Sequence, residues 1–214
     1  MCRQVWNGVA ALVYGIVFLA GPASVIPLAE AQAPAATPPV AEAPTFKIGD
    51  EWRWEGGDYP TYIRVVALEG AGSVVESNLD VWCRDGCRYT RDKNGISTSG
   101  VSGKGEPTYV SGLKILDFPL TVGKQWTQET ELRQLSTGQM RPYFNVWKVE
   151  AFEEVKAGTF KAFWISYSQE NRGSVRWSGN ASLWWSPDVK AFVKRVGHTS
   201  GWGKDWELAS YSLK

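Results

Sequence analysis

The 214-residue chain has few of the side chains on which most enzyme chemistry depends: one histidine, three cysteines and two methionines. His198 ends a strand-like run, where it reads as a turn or surface residue, and no serine or cysteine motif accompanies it. The chain also lacks Gly-x-Ser-x-Gly, His-Glu-x-x-His, a phosphate loop and a dinucleotide fingerprint, which argues against the enzyme classes those motifs define. It has no charge excess either. Taking Arg3 from the 23 basic residues, and Glu30 and Glu42 from the 22 acidic ones, leaves 22 and 20 in the remainder. Such a balance gives no electrostatic footprint for nucleic acid or for a strongly anionic membrane surface. Nor does any window of ten or more residues carry a clear helical period. Glu150 to Lys156 comes nearest, but Phe144, Val146 and Trp147 just before it alternate as a strand does, so a strand is predicted there.

The N-terminus is organised differently from the rest. Arg3 precedes an apolar run from Val9 to Ala20, and "AEA" at 29–31 fits a small-x-small cleavage site before Gln32. This pattern predicts a secretory signal peptide over residues 1–31 and a periplasmic or secreted product. A retained anchor is the alternative, although Pro22 and Pro27 interrupt the longer apolar stretch it would need. No cysteine follows the apolar run before Cys83, so bacterial lipidation is not expected. Residues 32–45, "QAPAATPPVAEAPT", read as an extended Pro/Ala-rich linker, and residues 46–214 as one domain with possible halves at 46–118 and 119–214.

Within that domain, short runs of alternating apolar and polar residues are punctuated by turn clusters, which predicts an antiparallel all-β fold, barrel-like or sandwich, of about twelve short strands. Expected strands include Thr61 to Leu68, Val74 to Cys83, Thr108 to Phe118, Met140 to Glu153, Ser174 to Trp177, Ala181 to Trp185 and Val189 to His198. "SGN" at 178–180 is expected to turn between two of them. Cys83 and Cys87 flank "RDG", a three-residue hairpin loop with Gly86 at its left-handed position. In an oxidising compartment a structural disulfide across the turn is favoured, with a redox pair or a metal site as the alternatives. No metal or cofactor is predicted. "FKIGDEWRW" at 46–54 and "LTVGKQWTQ" at 120–128 share a Gly-x-x-Trp element, whose glycine would bend the chain and turn the tryptophan inward.

Tryptophan is abundant, with twelve in the chain. Its flat, large side chain suits cores, sugar platforms and apolar clefts alike. Trp52 and Trp54 lie two apart among charged residues, as expected of a buried face. Trp184 and Trp185 are adjacent and must point to opposite faces, and Trp202 sits in the Gly-rich "TSGWGKD", outside any alternation. These three are the candidate ligand-binding residues. Asp58, Asp117, Asp188 and Asp205 fall at turns or strand ends and read as turn formers rather than as a carboxylate pair.

"VKAGTFKAFWI" at 155–165, "LWWSPDVKAFVKRV" at 183–196 and the closing "WELASYSL", taken with the Gly-x-x-Trp element, resemble a group of bacterial secreted proteins and lipoproteins of domain-of-unknown-function type. The resemblance covers mainly residues 115–214. It implies an antiparallel β domain similar to the open half-barrels of periplasmic lipoprotein carriers, and it implies no catalytic residue. The expectation is a non-catalytic binding protein with an aromatic-lined apolar face. A carbohydrate-binding module, or a structural component with an envelope partner, is the alternative.

Overall fold

The computed structural model describes residues 39–57, 61–78, 87–92, 97–99, 107–109, 112–134, 138–155, 159–174, 176–199 and 204–214. The predicted signal peptide and Cys83 lie outside these residues. So do residues 32–38, half of the linker, whereas its described half is not free chain throughout, since Ala41 is buried in the core. The described chain is all-β, with fourteen strands: β1 (Val40–Ala41), β2 (Glu51–Gly56), β3 (Thr61–Glu69), β4 (Gly72–Ser77), β5 (Cys87–Arg91), β6 (Ser97–Ser99), β7 (Pro107–Tyr109), β8 (Leu120–Thr121), β9 (Gln125–Gln134), β10 (Met140–Val155), β11 (Phe160–Asn171), β12 (Trp177–Ser186), β13 (Ala191–Gly197) and β14 (Trp206–Ser212). Strands β1 and β8 pair by themselves. The other twelve form one antiparallel sheet in the order β6-β5-β4-β3-β2-β14-β13-β12-β11-β10-β9-β7, which hydrogen bonding among the described residues does not close into a barrel. Its apolar face holds two core clusters. Trp52, Trp54, Val65 and Val75 belong to one, and Trp147, Phe163, Ile165 and Trp185 to the other, a sandwich-like arrangement.

The Gly-x-x-Trp element marks an internal duplication. The Gly49 N–H donates to the Val65 carbonyl (2.9 Å), the Asp50 N–H to the Lys47 carbonyl (3.0 Å) and the Val65 N–H to the Asp50 carbonyl (2.9 Å). In the second copy the Gly123 N–H donates to Val149 (2.8 Å), Lys124 to Thr121 (3.1 Å) and Val149 to Lys124 (2.8 Å). Both glycines have φ near +90°, at 92° and 88°, a conformation open to glycine. Each bend delivers a buried tryptophan, Trp52 or Trp126, onto the apolar face. The correspondence continues through the next strands. The β3–β4 ladder shifts register between Val65 and Ala67, and the β10–β11 ladder between Val149 and Ala151. Another bulge falls between Thr90 and Arg91 where β5 meets β6, matched between Trp184 and Trp185 where β12 meets β13. Strands β2 to β6 are thus repeated as β9 to β13. Each half then lends a strand to the other, since β7 pairs with β9 and β14 with β2.

Several boundaries differ from the sequence expectation. "SGN" at 178–180 is not a turn but lies within β12, with Gly179 opposite Gln169 and Asn180 opposite Ser168. The long neighbouring strand β11 supplies a full row of partners there, which overrides local turn propensity. Of the expected strand at 174–177, the described residue in a strand is Trp177, where β12 begins. Of the described residues of the expected strand at 108–118, Thr108 and Tyr109 are in the ladder, as part of β7, and residues 112–117 have no regular structure. Val189 and Lys190 belong to the turn before β13, and Lys190 has φ 56°.

Candidate functional site

An apolar cavity of about 110 Å³ opens where the two core clusters meet. Trp52 and Trp54 from β2, Ile63 and Val65 from β3 and Val75 from β4 form the first half's wall. Trp185, Ala191 and Phe192 face them from the second half, and Ile115, Leu116 and Phe118 close the side through the irregular segment between the halves. Hydrogen bonds fix the indoles. Trp52 Nε1–H donates to the Val189 carbonyl (2.6 Å) and Trp54 Nε1–H to the Phe192 carbonyl (2.7 Å), so both polar edges are occupied by the β12–β13 connection and its strand. Phe118 meets Trp185 edge-to-face at 5.1 Å, and Trp206 meets Trp54 similarly at 5.8 Å. These contacts hold the rings in place around the void.

Three polar side chains reach the cavity wall: Ser73, Arg91 and Lys190. Lys190 is compensated, because its Nζ donates to the Thr45 carbonyl (2.8 Å) and lies 3.9 Å from the fully buried Asp50 carboxylate. Asp50 in turn accepts from the backbone N–H groups of Lys47 and Lys214, tying the C-terminus to the glycine bend. Ser73 is only 2% exposed, and its Oγ has no hydrogen-bond partner among the described residues. Arg91 stands directly opposite it across the β4–β5 ladder. The Arg91 guanidinium stacks over Tyr89, 5.1 Å from the ring centroid, and donates to the Tyr89 hydroxyl (2.9 Å). Among the described residues no carboxylate lies within 4.0 Å of it. The strands approach closely here. A Cβ added at Gly72 would collide with the Arg91 carbonyl oxygen, so only glycine leaves room at that position.

Of the candidate binding residues read from sequence, Trp185 lines the cavity and is 2% exposed. Trp184 does not line it. Half-buried, it stacks on Trp164 at 6.2 Å and 11°, donates from Nε1 to Glu153 (2.7 Å) and lies under the Lys194 ammonium, 5.7 Å from its centroid. Trp202 lies outside the described residues. Cys87 opens β5 opposite Ser77, but the expected Cys83–Cys87 disulfide also lies outside the described residues. Trp52 and Trp54 are buried at 3% and 4%, as their alternation predicts. Among the described residues no three His, Cys, Asp or Glu side chains are grouped as a metal site.

Sequence reasoning missed Ser73 and Arg91, and it missed a contact of His198. The His198 Nε2 lies 2.8 Å from the Ser182 Oγ. A serine–histidine nucleophile also needs its base oriented by a third group, and among the described residues nothing hydrogen-bonds the other ring nitrogen. The surrounding bonds instead join β12 to the chain after β13. The His198 N–H donates to the Asn180 carbonyl (3.0 Å), and the Thr199 hydroxyl donates to Asn180 Oδ1 (2.9 Å).

No protein-family model matches the chain, and no curated protein matches it significantly in sequence. Among solved structures it is similar to the hypothetical lipoprotein YmcC from Escherichia coli (K12), with a TM-score of 0.48 and 8% identity, over 77% of this chain and 85% of that one.

Proposed function

We propose that the chain is a non-catalytic binding protein, exported to the periplasm or beyond, that holds an apolar ligand in the cavity between its two halves. The observation that carries this reading is the cavity itself. Protein interiors are normally filled to crystal-like density, yet here about 110 Å³ stays open among indoles, phenyl rings and branched aliphatic side chains fixed by their own contacts. A dry apolar cavity of roughly 150 Å³ is enough to take benzene, so this one suits a short acyl chain or the end of a longer one. The export pattern at residues 1–31 supports the location. Calorimetric titration of the mature chain with octan-1-ol, an uncharged probe, tests the reading: saturable one-to-one binding is expected, and no heat beyond dilution would refute it.

The outer face supports a second reading. Trp164 and Trp184 are half-buried indoles on adjacent strands of that face, within 11° of parallel. Affinity electrophoresis in gels containing soluble polysaccharides tests it. Retardation abolished by Trp184→Ala would favour the carbohydrate over the apolar ligand.

A further inference from the structure

The duplication supplies an internal control for the cavity. Register places Ser73 opposite Arg91 in the first half and Phe163 opposite Trp185 at the equivalent place in the second. The equivalence is fixed from both sides. Val75 and Ile165 each stand two residues further along, opposite Val65 and Val149, and Arg91 and Trp185 each follow the matching bulge. The second half fills these positions with two large apolar rings, 6.5 Å between centroids. In the first half they hold a small hydroxyl and a guanidinium, and both line the void. A core position that merely needed filling would take an apolar side chain, because a buried hydroxyl without a partner and a cation against an apolar wall both cost stability.

Resting on the proposed apolar-ligand reading, we infer that the ligand is an amphiphile with a carboxylate head, which Arg91 binds as counter-ion while Ser73 donates a hydrogen bond. The chemistry matches the donors present. A guanidinium presents parallel N–H groups that fit the two oxygens of a carboxylate. Directly opposed residues on one face of a ladder have Cβ atoms about 4.5–5.5 Å apart, so one planar head can meet both side chains. Its apolar tail then lies against Val75, Trp54 and Trp185. The Ser73 hydroxyl gains a partner that none of the described residues gives it. Lys190 is already committed to Thr45 and Asp50, so it adds little to the recognition.

The test is calorimetric titration of the mature chain and its Arg91→Gln, Arg91→Lys and Ser73→Ala variants with octanoate, octan-1-ol and octyl phosphate at pH 7. Octanoate is expected to bind the unaltered protein at least about tenfold more tightly than octan-1-ol, the scale of one charge-assisted hydrogen bond. Arg91→Gln should erase that preference and leave the octan-1-ol affinity within about threefold, well short of the one-hydrogen-bond step. Arg91→Lys, which keeps the charge without the planar fork, should retain part of it, and this variant decides the matter if Arg91→Gln does not fold. A preference that survives Arg91→Gln, equal affinities for octanoate and octan-1-ol, or tighter binding of octyl phosphate overturns the carboxylate assignment while the apolar-ligand reading stands. If no probe binds, both fall.

Discussion

Arg91 and Trp185 occupy the same place in the two halves: each is one residue past a matching bulge, and each faces the equivalent residue of the preceding strand, Ser73 or Phe163. What differs is the volume delivered to the apolar face. The second half stacks Trp126 on Trp147 (5.8 Å, 10°) and Trp147 on Tyr167 (5.1 Å, 9°), three rings in register across three strands, and completes its core with Phe163 and Trp185. The first half has Ile63 opposite Trp52 and ends in the Ser73–Arg91 pair. One scaffold, built twice, is packed in one copy and open in the other.

Gly72 keeps the open copy in shape, because its missing Cβ lets the Arg91 carbonyl pass close to β4. Gly72→Ala must push the two strands apart beside Ser73. A loss of about 1–3 kcal/mol in chemical denaturation is expected, the scale of overpacking a core, together with weaker octanoate binding. A variant as stable as the parent and binding octanoate equally well would show that this close approach is incidental.

Acid should weaken the fold through carboxylates held by cations. Burial raises the Asp117 carboxyl, but hydrogen bonds from Lys114 (2.6 Å) and Lys124 (3.0 Å) outweigh it and hold the group below its ordinary range. The Arg64 guanidinium does the same for Glu51, with Arg53 assisting. A carboxyl whose folded pKa lies below its unfolded value, about 4, contributes its full stabilisation above that value and loses it as pH falls through the folded pKa. The urea midpoint should therefore be level between about pH 5 and 7 and drop below about pH 4. Asp117→Asn should lower the midpoint at pH 7 and make the acid drop shallower. A drop as steep as the parent's would assign it to other groups.

The Ser182–His198 contact is expected to act as a structural latch. With p-nitrophenyl butyrate as substrate, hydrolysis should not exceed the buffer rate, and Ser182→Ala should leave it there while lowering the melting temperature slightly. Turnover that disappears in Ser182→Ala would contradict the non-catalytic reading.

The elements that local chemistry dictates were legible in the sequence. Alternation placed Trp52 and Trp54 on a buried face, and the shared Gly-x-x-Trp marked both copies of the bend. Ser73 and Arg91 were not legible, for two physical reasons. In "GSVVES" and "CRYTR" each reads as a turn or solvent-facing residue, and only the ladder shows that Ser73, Val75 and Ser77 face inward while Val74 faces out. The halves also drift apart along the chain as their loops differ in length. The offset is 74 residues at Trp52 and Trp126, 84 at Val65 and Val149, 90 at Val75 and Ile165, and 94 at Arg91 and Trp185. No single sequence offset aligns Arg91 with Trp185 and the two bends at once. "SGN" misled for a related reason, since its partner strand rather than its composition decides its conformation.

The claim that the first half is left open for a ligand is tested most directly by giving it the second half's residues. The double substitution Ser73→Phe with Arg91→Trp should fill the cavity as Phe163 and Trp185 fill their own core. Calorimetric titration of this variant with octan-1-ol is predicted to show no binding, with a melting temperature at or above the parent's. A stably folded variant that binds octan-1-ol as tightly as the parent would contradict the account, because the ligand would then lie somewhere other than between Ser73, Arg91 and the indoles that face them.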